Sequence, residues 1–518
     1  MITAQLNPAS SIPAFYAGKS IFITGATGFM GKVLIEKLLR SCPDIREIFL
    51  LMRQKKGQSI DDRIRRIVAL PLFDKLREQK PSSFEKLIPV TGDVSEEGLG
   101  LPAVERRVLI ERVSIIFHVA ASVRFDDSLK DAIFLNTRST RDVCILAASM
   151  KHLETLVHVS TTYSHTDKPV VKEELYPADV DWKKTIKVAE NLDDHVLRIL
   201  TSKYLGGMPN TYTFTKRLAE FVVADYAGIL PIVVFRPSIV ISSLEEPIPG
   251  WLDNFNGPVG LMIGGGKGIL RTVFLEPNVS SDFIPVDVAI KAMITVAWKR
   301  GCTTITQDPR IQVFNCSACD IKSISMKELI DMAFSLTAKI PLEGVLWAPH
   351  TKLTASKTLY YFLVILLHLL PALLIDGLLK ITGRKSMLLK IHRKVYIANS
   401  ALEYFTKNQW QFKNDNLLKL LDDVSPADKS KFSYDYYSFD ICEYFTNCLL
   451  GAKKYLLKED IGNLKEAKAH YDKMWWLDKV VKTWLGLLLT WIIAKSGLLF
   501  QIIGAVCSFL DGSMSSDR

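Results

Sequence analysis

Residues 20–31 read Ser-Ile-Phe-Ile-Thr-Gly-Ala-Thr-Gly-Phe-Met-Gly, an apolar strand that runs directly into a glycine turn and opens a helix. Gly25, Gly28 and Gly31 stand three apart, and Val33, Leu34, Ile35, Leu38 and Leu39 continue as an apolar helix face. Such a segment brings a strand end, a tight turn and a helix N-terminus together. Gly25 permits the turn, Gly28 lets the backbone approach a pyrophosphate, and Gly31 lets helix and strand pack closely. The bland alternative is a helix-capping glycine followed by packing glycines. The strand before and the helix after favour a dinucleotide.

From residue 20 to about 240, short β-branched runs alternate with helical stretches: Ile21–Thr24, Ile48–Met52, Leu87–Thr91, Ile115–Val119, Leu156–Ser160 and Ile232–Arg236. Runs this short and apolar suit a parallel sheet covered on both faces. The pattern predicts an α/β fold with a Rossmann-like, doubly wound parallel sheet. Beyond Arg236 it loosens into Pro/Gly-rich loops, Pro247–Trp251 and Gly264–Gly268, of the kind that complete a substrate pocket. A composition shift near residue 345 divides the chain into a nucleotide-binding domain (1–345) and a helical C-terminal domain (346–475). Within the latter, 359–375 is almost continuously apolar but broken by His368 and Pro371. It is at the lower limit for a membrane span, so a buried or membrane-dipping helix is an equal reading.

A clearer membrane segment is 484–510, apolar apart from Lys495, Gln501 and small polar residues. One helix or two half-length legs would enter the bilayer there, with an apolar docking helix as the soluble alternative. Trp475, Trp476, Trp484 and Trp491 suit interfacial anchors, and Lys473, Lys479 and Lys482 favour a cytosolic bulk with a C-terminal anchor. Hydrophobic content is 48% of 518 residues, in keeping with membrane contact. The net charge of +10 is scattered, with no basic tract carrying stacking aromatics, so nucleic acid is not the expected partner. The eight cysteines are dispersed, and Cys316-Ser-Ala-Cys319 lacks the second pair a zinc site needs, so neither a disulfide framework nor a metal is expected. No apolar run precedes Lys19, and a secretory leader is not expected.

The chemistry concentrates at Tyr212-Thr-Phe-Thr-Lys216. Positions i and i+4 share a helix face, and a lysine beside a tyrosine favours the phenolate and would lower its pKa. A solvated helix face is the ordinary reading of this spacing; its place after the fifth strand favours catalysis. That strand ends Ser160-Thr161-Thr162-Tyr163, where a hydroxyl could meet a substrate carbonyl. Thr161 and Ser160 are the candidates, against a cluster that merely satisfies loop backbone.

Thr24–Gly31 together with Tyr212 and Lys216 resembles the extended short-chain dehydrogenase/reductase class. More narrowly, Gly31–Arg40, Ile115–Phe125, Val234–Val240, Pro249–Gly257, Leu402–Phe405 and Lys453–Leu456 resemble animal fatty acyl-CoA reductases over nearly the whole chain. The resemblance implies catalytic roles for Tyr212, Lys216 and Thr161 or Ser160. It implies cofactor contacts from Thr24, Gly25, Thr27, Gly28, Phe29, Gly31, Asp93, Ala120, Ala121, Lys216, Pro237 and Ile239, with Asn136 either in support or simply packing its helix. Arg53, Lys55 and Arg63 resemble a site for the adenosine 2′-phosphate, or else a solvated helix start. An acid that would pair with a free 2′-hydroxyl is missing from the second strand's end, which favours NADPH. Ser-Thr-Thr-Tyr departs from the family's commoner Ser-Thr-Ala-Tyr, which leaves the choice of hydroxyl open. The implied activity is NADPH-dependent reduction of long-chain acyl-CoA to a primary alcohol at a membrane. A sterol dehydrogenase and a catalytically silent scaffold are the rivals. The implied location is the endoplasmic reticulum or peroxisome membrane, since Ser515-Ser-Asp-Arg518 matches no organelle signal. Oligomeric state and chain-length preference are not legible.

Overall fold

The computed structural model describes residues 11–54, 57–303, 305–318, 323–436 and 439–496. Its centre is a seven-stranded sheet. The strands are β1 (Ser20–Thr24), β2 (Glu47–Met52), β3 (Leu87–Thr91), β4 (Val113–His118), β5 (Thr155–Val159), β6 (Ile232–Pro237) and β7 (Gln312–Cys316). They lie in the spatial order β3-β2-β1-β4-β5-β6-β7, every pair parallel. Strand order therefore reverses between β1 and β4, the place where sheets of this kind hold a ligand in a crevice outside the carboxyl ends of the strands. β1 and β2 are buried at every position, as expected of a sheet covered on both faces. The strand runs read from the sequence fall within two residues of those observed, but they do not include β7. Its Gln312 and Asn315 break up the apolar residues, so no run shows.

Helices cover both faces. α1 (Phe29–Ser41) follows the glycine turn, and α2 (Thr211–Ala224) carries Tyr212 and Lys216. α3 (Val286–Gly301) is buried along almost its whole length against α1, β5 and β6. The C-terminal region is tied into this body rather than appended to it. Lys352–Thr354 pairs with Thr272–Phe274, and Gln411–Phe412 pairs with Val170–Val171. Leu417, Leu420, Phe432, Tyr434 and Tyr436 belong to the same buried cluster as Ile21 and Ile23 of β1.

Among the described residues, the three longest helices after residue 345 are α4 (Lys357–Ile381, with a wide π turn at Ile365–Leu369), α5 (Leu388–Lys407) and α6 (Leu464–Lys495). Among the described residues, α4 is the one helix long and apolar enough to cross a membrane by length and composition. The expected segment 484–510 begins on α6, whose surface from Trp484 to Ile492 is exposed and largely apolar; its remainder, 497–510, lies outside the described residues.

Candidate active site

The glycine turn forms as its sequence demands. Gly25 has φ +77°, and a Cβ there would stand 2.6 Å from the Ala120 backbone nitrogen. A Cβ on Gly31 would lie 2.2 Å from the Gly25 carbonyl oxygen, so helix and turn touch backbone to backbone. Gly28 is exposed at the N-cap of α1 with no side chain capping the helix, which leaves the first-turn N–H groups for an anion. Thr27, Phe29 and Ala121 border the crevice half-buried, and Ala120 is buried beside the turn. Phe29 stacks on Trp251 with ring centroids 5.5 Å apart.

Thr24 fixes the switch point. Its hydroxyl accepts from the Ala120 N–H at 3.3 Å and lies 2.8 Å from His118 Nδ1, while His118 Nε2 lies 3.1 Å from the Thr140 hydroxyl. Thr140 donates onward to the Asn136 carbonyl at 2.8 Å. These partners require Nε2 to carry the ring proton and Thr24 to donate to Nδ1. Burial, reinforced by the Lys216 charge, pushes the imidazole down to about 3, so His118 is a neutral strut between β1 and β4. Asn136, in turn, accepts from the Ser122 N–H at 2.9 Å and donates to the Thr215 hydroxyl on α2 at 3.0 Å. It thereby positions the helix that bears Tyr212.

At the end of β2, Arg53 points an exposed guanidinium 3.6 Å from the Asp93 carboxylate, and Arg63 donates to the Arg53 carbonyl. Partial burial and then the neighbouring Arg53 charge push the Arg63 pKa down. The two guanidiniums therefore stand close enough to oppose one another's charge. Asp93 accepts from the Ser95 N–H and hydroxyl, both at 2.9 Å. Lys55 lies outside the described residues. On the opposite side of the crevice, Pro237 ends β6. Ile239 begins a short strand paired with Phe283–Pro285 and packs against the aromatic cluster described below.

The two hydroxyl candidates separate cleanly. Successive side chains on an extended chain point to opposite sides, so Ser160 and Thr161 cannot share a role. Ser160 is turned inward and donates to Glu220. Thr161 is turned the other way; its hydroxyl accepts from the Tyr163 N–H at 3.2 Å and neighbours the Tyr212 phenol. Burial pushes that phenol up to about 12, with the Thr161 hydroxyl opposing. The sequence led us to expect that Lys216 lowers the tyrosine pKa; the net direction is the reverse. Lys216 is buried and donates to the Val159 carbonyl at 2.7 Å, and burial pulls its ammonium down to about 8 against the attraction of Glu220.

Behind them lies a network that motif reading missed. The Glu220 carboxylate accepts from Arg236 at 2.6 and 2.9 Å, from Ser164 at 3.0 Å and from His165 at 2.9 Å. Arg236 also donates to the Lys172 and Glu174 carbonyls, both at 3.0 Å. Burial pushes Glu220 up, but Arg236 and His165 outweigh it and hold the carboxyl well below its ordinary range. The available signal was a third helical repeat, Tyr212, Lys216, Glu220, with Arg236 in the Arg-Pro string. In front of Tyr212 the surroundings are aromatic. Phe125 lies 6.0 Å from its ring and 5.3 Å from Phe405 of α5. Tyr163, Trp410 and Phe412 complete the cluster.

A dinucleotide cradle and a paired tyrosine–threonine hydroxyl facing an apolar wall define a class of site, and comparison with known proteins names the family. The families matched are both described as male sterility protein: an NAD-binding domain over residues 23–293 and a second domain over 367–459. Fatty acyl-CoA reductase 1 of Xenopus laevis is 41% identical over 464 residues, covering 90% of each chain. The Homo sapiens protein of that name is 40% identical, again over 90% of each chain. Fatty acyl-CoA reductase 2 of Bos taurus is 36% identical, over 96% of this chain and 97% of that one. This chain belongs to the fatty acyl-CoA reductase family. Among solved structures, the terminal R domain of the myxalamid PKS-NRPS pathway aligns with TM-score 0.54 at 18% identity, covering 84% of this chain and 91% of that domain. The reductase domain of a Mycobacterium tuberculosis nonribosomal peptide synthetase aligns equally well, at 16% identity. Both share the fold of this reductase, whose crevice takes a nicotinamide dinucleotide.

Proposed function

We propose that the protein reduces long-chain fatty acyl-CoA to primary alcohol, using NADPH and releasing CoA. The observation that carries this is the Thr161–Tyr212 hydroxyl pair set between the dinucleotide cradle and the aromatic wall of Phe125 and Phe405. The cradle fits the cofactor: Gly25 and Gly31 let turn and helix close backbone to backbone, Gly28 leaves the first-turn N–H groups open to a pyrophosphate, Asp93 would meet the adenosine, and Arg53 with Arg63 would hold the 2′-phosphate. When bound, NADPH supplies the hydrides, and two are needed to take a thioester to an alcohol.

Thr161 and Tyr212 donate to the thioester oxygen as it becomes an oxyanion. Collapse of that centre breaks the carbon–sulfur bond, and the electron pair leaves on the CoA thiolate. The aldehyde left behind occupies the same hydroxyl pair. On its reduction the phenol, still protonated at neutral pH, transfers its proton to the far more basic alkoxide. The Lys216 ammonium, anchored on the Val159 carbonyl, would hold the cofactor ribose. Phe125, Tyr163 and Phe405 exclude water and seat the acyl chain next to the reacting carbon. The apolar end of α6 supports a membrane tether for the cytosol-facing enzyme in the endoplasmic reticulum or peroxisome membrane.

The hydroxyl assignment is tested by a pair of substitutions. Thr161→Val is expected to lower kcat for palmitoyl-CoA by ~10²–10³-fold, the usual consequence of losing one oxyanion donor. Ser160→Ala is expected to cost about 1.5–3 kcal/mol of stability, as for a buried hydrogen bond to a charged group, with kcat nearly unchanged. Equal loss of kcat in both variants would refute the separation. For the cofactor, Arg53→Ala combined with Arg63→Ala is expected to raise KM for NADPH by ~10-fold or more, since each charge-assisted bond is worth about 1.5–3 kcal/mol. KM for NADH should not move, and a parallel rise for both cofactors would count against the 2′-phosphate site. A pH profile addresses Lys216. Its ammonium is charged below about 8 and neutral above, so kcat/KM is expected to fall as pH rises through about 8. In Lys216→Met that alkaline limb should be missing.

A further inference from the structure

α4 has two unlike faces. Tyr360, Val364, His368, Ala372 and Asp376 recur every fourth residue and are buried, the π turn keeping the stripe in line. The stripe is bolted to the protein body at intervals. The Tyr360 ring stacks on Phe274 at 5.4 Å, and its hydroxyl accepts from Asn399 of α5 at 2.8 Å. His368 Nε2 faces the backbone N–H groups of Arg271 and Thr272, both at 3.2 Å. The Asp376 carboxylate accepts from the N–H groups of Met387, Leu388 and Leu389, capping the first turn of α5 from the neighbouring helix. The other face is bare and apolar: Phe362 is 60% exposed, Leu374 70%, Leu378 64% and Ile381 83%. A continuous apolar surface of this kind on a water-soluble protein marks a contact with something else.

We propose that α4 is an in-plane membrane helix, lying in one leaflet with its bare face in the acyl region and not crossing the bilayer. Crossing would strip His368 from the Thr272–Phe274 strand and Asp376 from α5, leaving polar groups unpaired in hydrocarbon. Lying in the interface keeps every one of those bonds and buries only the apolar face. Charge selects the bilayer over other occupants. Lys380, Arg384, Lys385, Lys390, Arg393 and Lys394 are exposed around the α4–α5 hairpin, and residues 377–402 contain no Asp or Glu. That collar complements anionic headgroups and would repel a second copy of itself. A second apolar surface leaves the body at the same place. α6 is held at Asp478, whose carboxylate accepts from the Trp347 indole and lies 3.9 Å from Arg271, the residue whose N–H meets His368. Beyond Lys482 its residues stand free, Trp484 at 61% and Leu487 at 65% exposed. One membrane surface passing Arg271 therefore serves both helices, and α5 runs from it to Phe405 beside the Tyr212 cluster. The inference stands apart from the reductase reading, since it needs no catalytic residue.

Depth-resolved quenching tests it. The full chain, with Cys302, Cys319, Cys442 and Cys507 changed to serine, would carry a single bimane-labelled cysteine at Phe362→Cys, Leu374→Cys or Ile381→Cys. It would be reconstituted into phosphatidylcholine–phosphatidylserine vesicles containing lipids with nitroxides at shallow or deep acyl positions. Retained reductase activity shows that each variant folds, and a label at Leu487→Cys reports attachment through α6. The expected result is strong quenching by the shallow nitroxide at all three α4 positions, at one common depth. A gradient of depth from Phe362 to Ile381, the signature of a span, would overturn the proposal. Absence of quenching on α4 would also overturn it, whatever the label at Leu487 reads, because the face would then be covered by protein or exposed to water.

Discussion

Tyr212→Phe is expected to lower kcat for alcohol formation from palmitoyl-CoA by ~10²–10⁴-fold, the range for losing a general acid. The phenol is a donor rather than a base here. Burial pushes it up to about 12, against the influence of the neighbouring Thr161 hydroxyl. A neutral phenol supplies both the hydrogen bond to the thioester oxygen and the proton for the alkoxide. Phenylalanine keeps the ring against Phe125 and the fold with it, so KM for NADPH should be little changed. The two reductions should also respond unequally. Release of CoA needs oxyanion stabilisation that Thr161 still offers, whereas reduction of the aldehyde needs the proton. Aldehyde is therefore expected to accumulate in the variant relative to alcohol, and mass spectrometry of single-turnover products reads it. Alcohol formation at the unsubstituted rate would remove Tyr212 from the chemistry.

Glu220→Ala is expected to destabilise the protein by about 3–5 kcal/mol, as for any buried charge that loses its partner. The side chain is 1% exposed, and Arg236, which it neutralises, is fully buried. Truncation would leave the guanidinium with only the Lys172 and Glu174 carbonyls. The carboxylate also attracts the Lys216 ammonium, so the lysine pKa should fall further in any variant that removes the charge. The linkage has a definite sign. A carboxyl whose folded pKa lies below its unfolded value stabilises above the unfolded pKa, and that contribution is lost as pH falls through the folded one. The network should therefore hold through the mildly acidic range and fail only in strong acid. Denaturation of the detergent-solubilised protein, compared with Glu220→Gln, measures the cost. A loss under about 1 kcal/mol would show that the network is not what holds α2 to β6.

What the sequence disclosed and what it hid divide along physical lines. The glycine turn was legible because each glycine answers a local demand, a positive φ at Gly25 and a backbone contact at Gly31. The parallel sheet was legible because strands buried on both faces carry unbroken apolar runs. The choice between Ser160 and Thr161 was not, because it depends on Glu220 and Tyr212 arriving from α2, far along the chain. The lysine effect was misjudged for a related reason: i,i+4 spacing gives the shared face, but the Val159 carbonyl captures the ammonium. Phe405 comes from the far end of α5, and Gln411–Phe412 pairs with Val170–Val171 over two residues, a contact no local pattern announces. The run at 359–375 was ambiguous because hydropathy does not distinguish a face bolted to protein from one left bare.

The most direct measurement is stoichiometry. Purified full-length protein in detergent, given palmitoyl-CoA and NADPH, should consume two NADPH for each hexadecanol formed and each CoA released. Failure to oxidise NADPH with acyl-CoA of any chain length, or consumption of one NADPH with aldehyde as the final product, would contradict the account.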